Sequence, residues 1–573
     1  MAYDVFINKD TDHGAYISAT GPNGQYEEAH NALEKALLQG EGRATFTRGL
    51  YLFNDATVWP GNDSEIILQP GATLKTNHAG EVGILHLTGN NVHVYGGGRF
   101  LCESFKQNQT LVRFEGGIDP VAKNLHFEWT DGDDDNNNFM TALSFVDCVN
   151  VRSSDCVVYP MLGVQGFLGE RMDGFQWVDN VVRVKDSRTP TSGAPYTECF
   201  RPFYLYGCQF GDVVRPVAYG LGSVNNPIVN TLLMQHDLVF AGEQGHNNII
   251  DPHMEACYSQ RYITIKGGRF HQILGGNLGQ NEGQCNAFNV LAWSTGHAAI
   301  FIDSADGGST SQAQLTDITI RDVHIHNTSQ QISEGVDGPA PFIAIRHVRR
   351  ADIIGNKFGV VACEFPILLA ANTLEGSFRI RNNIFDGRAT NRRPYLFINT
   401  SIGTQPILGR LVIDVSSNAA DNFAEGFKPS PAIYSEYWPT GFGFETDPTL
   451  NFTSSANQFR FINSAHMDNT TGQPELKEDG PAASGDLDFI EVGDWIDIRT
   501  TTGNGINEGI RVVVGKTIDA SGDIIEFEDM NYDFVGIGTL NLGDFFTETN
   551  TGITTIRVVK RGFNSNSNVM SPP

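Results

Sequence analysis

Asn91-Val-His-Val, Asn124-Leu-His-Phe, Asn150-Val-Arg and Asn180-Val-Val-Arg-Val recur along the chain, each an amide residue followed by a short apolar run. Their starts lie 33, 26 and 30 residues apart, and Asp317-Ile-Thr-Ile, Asp352-Ile-Ile and Phe378-Arg-Ile carry the pattern onward. Strands this short, closed by Gly, Asn and Asp turns, cannot bury an apolar face alone. Repetition at this period lets each unit lie on the next and share one core. The expectation is a β-solenoid, a fold that offers long surfaces to extended ligands.

The rest of the composition fits. The chain has 573 residues, long for one ordinary globular domain, but a solenoid core grows linearly with length. Gly is abundant at 62, Phe at 37, and charged residues make up only 18%. The formal net charge of −27 argues against nucleic-acid backbones and anionic membrane surfaces, which call for Lys/Arg faces. It reads first as solubility; an acidic groove also suits neutral or cationic sugars, or anionic ones through Ca²⁺. The opening Met1-Ala-Tyr-Asp-Val-Phe lacks the basic start and apolar core of a signal peptide, and no run of 18 apolar residues exists, so no membrane insertion is expected. All eight cysteines lie between Cys102 and Cys363 without a Cys-x-x-Cys pair. They read as small buried groups in a chain folded in a reducing cytoplasm.

Residues 1–20 read as a tether or docking segment. From Asn23 to Gly40, the residues Tyr26, Ala29, Leu33, Ala36 and Leu37 recur at helical spacing, with Gly40 as C-cap. A helix here caps the open end of a solenoid core and covers its sheet edge. Short strands follow at once: Ala44-Thr-Phe, Leu50-Tyr-Leu-Phe, Ser64-Glu-Ile-Ile-Leu and Ala72-Thr-Leu, with Pro60-Gly61 and Pro70-Gly71 turns. The capping helix and solenoid are assigned to 21–465 and a linker to 466–485. A small β-barrel or β-sandwich is expected over 486–562, with a flexible tail at 563–573.

The capping helix, Gly49-Leu-Tyr-Leu-Phe53, Ile66-Ile-Leu-Gln-Pro-Gly-Ala-Thr-Leu74 and Asn91-Val-His-Val-Tyr-Gly-Gly-Gly98 together resemble the opening of the pectate-lyase-like superfamily. The resemblance covers roughly 24–465 and implies an all-β, right-handed parallel β-helix. That superfamily includes polysaccharide lyases, glycoside hydrolases, epimerases and phage tailspikes, so it is specific for fold and poor for function.

Four clusters could carry chemistry. Asp131-Gly-Asp133-Asp-Asp135-Asn-Asn-Asn138 is dense in hard oxygen ligands for Ca²⁺, although no cofactor is required and the run departs from the EF-hand pattern; charge runs are more often solvated turns. Glu243-Gln-Gly-His246 leads into Asp251-Pro-His253-Met-Glu255, followed by Tyr258 and Arg261. On a strand, Asp251, His253 and Glu255 share one face. Two carboxylates there could divide acid and base roles in glycoside hydrolysis, or a His/Tyr/Arg set could abstract a sugar C5 proton. Asp-Pro is equally a turn former. Glu170-Arg-Met-Asp173 with Asp179, and Asp303-Ser-Ala-Asp306, read first as structural. Trp177, Tyr204, Tyr206 and Trp293, with Glu243, are the candidate sugar contacts; Tyr204 and Tyr206 are expected to point outward together while Phe203 and Leu205 enter the core.

The expected function is that of a tailspike- or tail-fibre-like virion protein that binds, and in one version depolymerises, a bacterial surface polysaccharide. The superfamily resemblance implies a homotrimer, contacts with phage tail or baseplate proteins, and assembly in the host cytoplasm. The alternatives are a free, secreted polysaccharide lyase, hydrolase or epimerase, and a non-catalytic adhesive virion protein.

Overall fold

The structure is a computed structural model. It describes residues 5–9, 15–18 and 25–279 except 77, 79, 103–107, 131–139, 162, 186–200, 223–227, 237–244, 256 and 258; from 298 to 559 it describes the strands and a few flanking residues. The chain winds through three long sheets, here A, B and C, in an unbroken A–B–C order. One coil runs Val149–Ser154 in sheet A, Val157–Tyr159 in sheet B and Val164–Glu170 in sheet C. The next coil lays Asp173–Val178, Val181–Arg183 and Arg201–Tyr206 directly beside them in parallel. Among the described residues, sheets B and C hold 13 strands each, which makes 13 coils. Parallel strands joined by crossovers wind right-handedly. The chain is a right-handed parallel β-helix.

The helix Ala29–Gln39 closes one end, with Ala29, Ala32, Leu33, Ala36 and Leu37 fully buried against the first strand of each sheet. Tyr26 is not on it: Gln25–Glu27 is a strand. Gly40 takes the C-cap by donating its N–H to the Ala36 carbonyl, but with φ −85° rather than a left-handed turn. Within residues 1–20, Val5–Lys9 pairs parallel with Arg43–Phe46 and begins an antiparallel meander with Ala15–Ser18 and Gln25–Glu27. Its Ile7 is completely buried.

Two columns of left-handed residues turn the corners. Between sheets A and B, nine consecutive coils place Asn124, Asp155, Asp179, Arg215, Asp251, Gly275, Asp322, Gly355 and Asn382 at φ 48–70°. Entering sheet A, nine coils place Asp63, Asn91, Asp119, Asn150, Gly174, Phe210, His246, Phe270 and Asp317 at φ 51–71°. Short polar side chains and Gly tolerate this region best, which is why Asn and Asp punctuate the sequence. The uneven spacing of the sequence motif has a simple cause: Asn91 and Asn150 belong to one corner, Asn124 to the other, and Asn180 to neither. Asn180 is buried just inside the A–B corner, where its amide accepts the Cys156 N–H at 3.1 Å.

The core is a stack of like residues on successive coils. Phe100–Phe127, Phe114–Phe145 and Phe167–Phe203 lie with centroids 5.0, 4.9 and 5.4 Å apart, near the strand spacing. Five described cysteines are buried and outside any disulfide among the described residues, and burial pushes the Cys156 and Cys208 thiols up to about 12, so these two are inert packing groups.

Described solenoid strands end at Ile433–Ser435. Beyond them lies one seven-stranded antiparallel sheet, in the order Asn457–Ile462, Thr554–Val559, Trp495–Thr500, Gly509–Asp519, Gly522–Phe527, Glu475–Glu478 and Ala465–Asp468. The strands expected near 494, 510, 524 and 555 all belong to it. So do three strands between 457 and 478, which the sequence reading divided between the solenoid and the linker. The tail 563–573 lies outside the described residues.

Candidate functional site

The outward face of sheet B carries a row of functional groups. Along His253–Glu255, only Met254 enters the core, so His253 and Glu255 both point out. In-register pairing sets Asn277 beside His253 and His324 beside Asn277, with His326 two residues along the same strand. Glu255 is the centre. Its carboxylate lies 3.3 Å from His253 Nε2 and 3.8 Å from His326 Nε2, and it accepts a hydrogen bond from Asn277 Nδ2 at 2.9 Å. Burial lowers both His324 and His326 below the ordinary imidazole range; proximity to each other and Lys357 adds to this at His324, while Glu255 opposes it at His326. At neutral pH both are therefore neutral rings with one acceptor nitrogen each.

Asp251 is not on that strand. It is the left-handed A–B corner residue, φ +52°, two residues before His253, and its N–H is spent on the Leu274 carbonyl. The shared-face expectation for Asp251 therefore fails, because the corner interrupts the alternation. It still borders the same depression, about 500 Å³, lined by Asp179, Arg215, Asp251, His253, Asn277 and His324. Arg215 binds the Asp179 carboxylate through two nitrogens at 2.7 Å and holds it below the usual carboxylate range. Arg261 belongs elsewhere: its guanidinium lies 4.2 Å over the Phe301 ring on sheet C. Tyr258, Glu243 and Trp293 lie outside the described residues, as do Asp131, Asp133 and Asp135. Among the described residues no group of three His, Cys, Asp or Glu is placed to hold a metal ion, and no helix is long and apolar enough to cross a membrane.

Trp177 is corrected outright. It faces the core at 1% exposure, with Phe145, Phe167 and Phe175 centroids 6.0–6.4 Å away, because it occupies an inward position of Asp173–Val178. Tyr204 and Tyr206 are half-buried and outward on sheet C, ring centroids 6.3 Å apart, while Phe203 and Leu205 fill the core. Arg201 lies 4.1 Å over the Tyr204 ring.

The sheet C face holds a cluster that residue-by-residue reading missed. Register aligns Tyr204 with Leu233, Thr264 and Phe301, and Tyr206 with Gln235, Lys266 and Asp303. Arg346 ends the next strand, its guanidinium 5.5 Å from the Phe301 centroid. Arg201, Arg261, Lys266 and Arg346 thus come to one face from three coils. The only signal was faint: Arg201 and Arg261 precede short apolar runs, and Lys266 and Arg346 end them.

No family model and no curated protein matches the chain. Several solved structures are similar in shape. The A-module of a mannuronan C-5 epimerase from Azotobacter vinelandii shares 11% identity at TM-score 0.42, over 74% of this chain and 96% of that one. A double mutant of the tailspike protein of E. coli bacteriophage HK620 shares 11% at 0.42, over 94% and 90%. The catalytic unit of a GH87 alpha-1,3-glucanase from Streptomyces thermodiastaticus shares 10% at 0.37, over 74% and 65%. None of them assigns a role to any residue here.

Proposed function

We propose that this chain binds an extended polysaccharide along the outward face of sheet C, as a tailspike-like, homotrimeric virion protein directed at a bacterial surface glycan. The observation that carries the reading is the outward pair Tyr204 and Tyr206, with Arg201 over the first ring. Two aromatic faces on one strand provide contact area at low entropic cost, and the flanking coils extend the surface in both directions. The tailspike and trimer parts rest on the sequence resemblance alone.

Titration of the full chain against a panel of bacterial surface polysaccharides tests this. Tyr204→Ala combined with Tyr206→Ala weakens binding at least tenfold, with unchanged circular dichroism. Equal binding by that variant removes sheet C as the site. Light scattering in the same buffer reports the assembly, and a mass near 62.7 kDa instead of three times that value rejects the trimer.

A second reading is favoured by the surroundings of Glu255. A carboxylate between two imidazoles and an amide donor, beside the depression that His253 and Asn277 line, has the parts for general acid–base cleavage of a glycosidic bond. If the chain depolymerises its glycan there, Glu255→Gln lowers the release of new chain ends by about 10²–10⁴ without weakening glycan binding. New ends absorbing in the near ultraviolet identify elimination; non-absorbing ends identify hydrolysis. Full activity in Glu255→Gln discards this site.

A further inference from the structure

Sheet B carries more than the cluster around Glu255. On the three coils before it, only Val158, Val182 and Ala218 enter the core, so each short strand turns two side chains outward. In-register pairing sets these in two rows. Val157, Val181 and Val217 lead to His253, and Tyr159, Arg183 and Tyr219 lead to Glu255. The valines and tyrosines are half-buried, and Arg183 is exposed. Arg183 donates to the Tyr159 hydroxyl at 3.4 Å, its guanidinium 5.8 Å from the ring centroid, and so braces that ring on the surface. The two tyrosines lie two coils apart, about 10 Å along the axis, and each coil step is close to the length of one sugar residue in an extended chain. Beyond Glu255 the row closes. Gly279 comes next and has no side chain; a Cβ there would lie 2.9 Å from the His326 ring, so the Glu255 carboxylate and the His326 imidazole meet across it at 3.8 Å. The border on the sheet A side sets the charge. The corner residues two before each valine and before His253 are Asp155, Asp179, Arg215 and Asp251, and Asp179 already binds the one guanidinium among them. The surplus negative charge along this edge repels a sugar acid.

We propose that an uncharged polysaccharide lies along sheet B, contacting Tyr159 and Tyr219 over the valine row before its chain reaches Glu255. This rests on the Glu255 reading above, which needs a substrate running across this face, and it names the side chains that hold that substrate and its chemical class. Aromatic rings beside an aliphatic floor offer contact area to the apolar faces of sugar rings at low entropic cost. A peptide is the poorer occupant. Extended peptides bind by adding a strand to a free sheet edge, and the strands that carry these rows are paired on both sides. Tyr204 and Tyr206 lie on sheet C, a different face, so the two surfaces are separable by mutation.

The test is calorimetric titration, at low salt, of the full chain carrying Tyr204→Ala and Tyr206→Ala, which removes the sheet C pair. The probes are dextran, mannan and laminarin (neutral), hyaluronan (acidic), and the bacterial panel above. At least one neutral polymer binds, and about tenfold or more tighter than any acidic one. Its fragments gain affinity with length until they span the four coils from Tyr159 to Glu255, and little beyond. Adding Tyr159→Ala and Tyr219→Ala weakens binding by about tenfold or more, with unchanged circular dichroism. Arg183→Gln, on an exposed side chain, weakens it severalfold and guards against a folding defect in the tyrosine pair. Undiminished affinity in both variants, tighter binding of acidic than of neutral polymers, or no neutral polymer bound overturns the proposal. Glu255→Gln separates this failure from failure of the cleavage reading. If that variant stops releasing chain ends while the tyrosine variant binds undiminished, the Glu255 reading stands and the sheet B surface falls. If the tyrosine variant loses binding while Glu255→Gln releases chain ends at full rate, the surface stands and the Glu255 reading falls.

Discussion

Trp177→Ala is expected to destabilise the middle coils by about 3–5 kcal/mol, the range for emptying a large aromatic site in a packed core. Trp177 is among the largest fully buried side chains, and it packs near Phe175 of its own strand and Phe145 and Phe167 of two others. The parallel ladders on both sides hold the backbone in place, so the space cannot collapse. The damage should be local, because each coil contacts chiefly its neighbours. Thiol labelling reads this directly. Cys156 and Cys208 flank Trp177 in the winding and are inert when packed. In Trp177→Ala their labelling rates should rise by about two orders of magnitude or more, tracking opening of these coils, while Cys102 changes little. Uniform acceleration of all three would mean the helix opens as one unit. Unchanged rates would mean the tryptophan is not a packing residue.

Acid should unfold the solenoid earlier than its carboxylates alone would require. His271 is buried, with its ring centroid 4.8 Å from that of His236. Burial, and then His236, hold its pKa well below the ordinary imidazole range, although backbone contacts from Asn247 and Gly267 oppose this and His246 adds to it. The folded-state value is depressed, so the unfolded chain takes up a proton that the folded chain refuses. Stability is complete above about pH 6.5 and falls as pH drops from there toward the folded-state value. The slope for one such site approaches about 1.4 kcal/mol per pH unit. His271→Leu removes the ionisable group, so the stability of that variant, measured by urea denaturation between pH 7 and 5, should fall less steeply than wild type. Parallel slopes would show that His271 takes up its proton in the folded state.

The fold was legible because two physical rules act on every coil. Alternation sends one residue in and the next out, and each corner demands a left-handed residue, which Asn, Asp and Gly supply. The Tyr204–Tyr206 pair was readable for the same reason: a strand of six residues displays its pattern. Asp251 was misread because a corner column and a strand position look alike when only two residues separate them. Trp177 was misread because aromatic content says nothing about which side of the strand a ring takes; the neighbours Phe175 and Trp177, two apart, share the inward face with Val151 and Val213. The sheet C cations were invisible for a different reason. Arg201, Lys266 and Arg346 are 65 and 80 residues apart in sequence, and no local pattern connects them until the coils are in register.

The second corner column has a consequence for how this surface could be altered. Six of its nine members are Asp, Asn or Gly, but Phe210, His246 and Phe270 occupy three consecutive coils, their rings 5.1 and 4.8 Å apart. A phenylalanine is poorly suited to φ near +55°, and Phe210 and Phe270 also expose 57% and 46% of their surface. Folding alone would not select them. They follow Tyr206 and Lys266 by four residues each, on the coils that carry the sheet C cluster. The corner is therefore a tunable rim: an engineer could exchange its rings for amides one coil at a time, relieving the backbone while leaving every strand pairing intact, and so reshape the edge of sheet C without touching its floor.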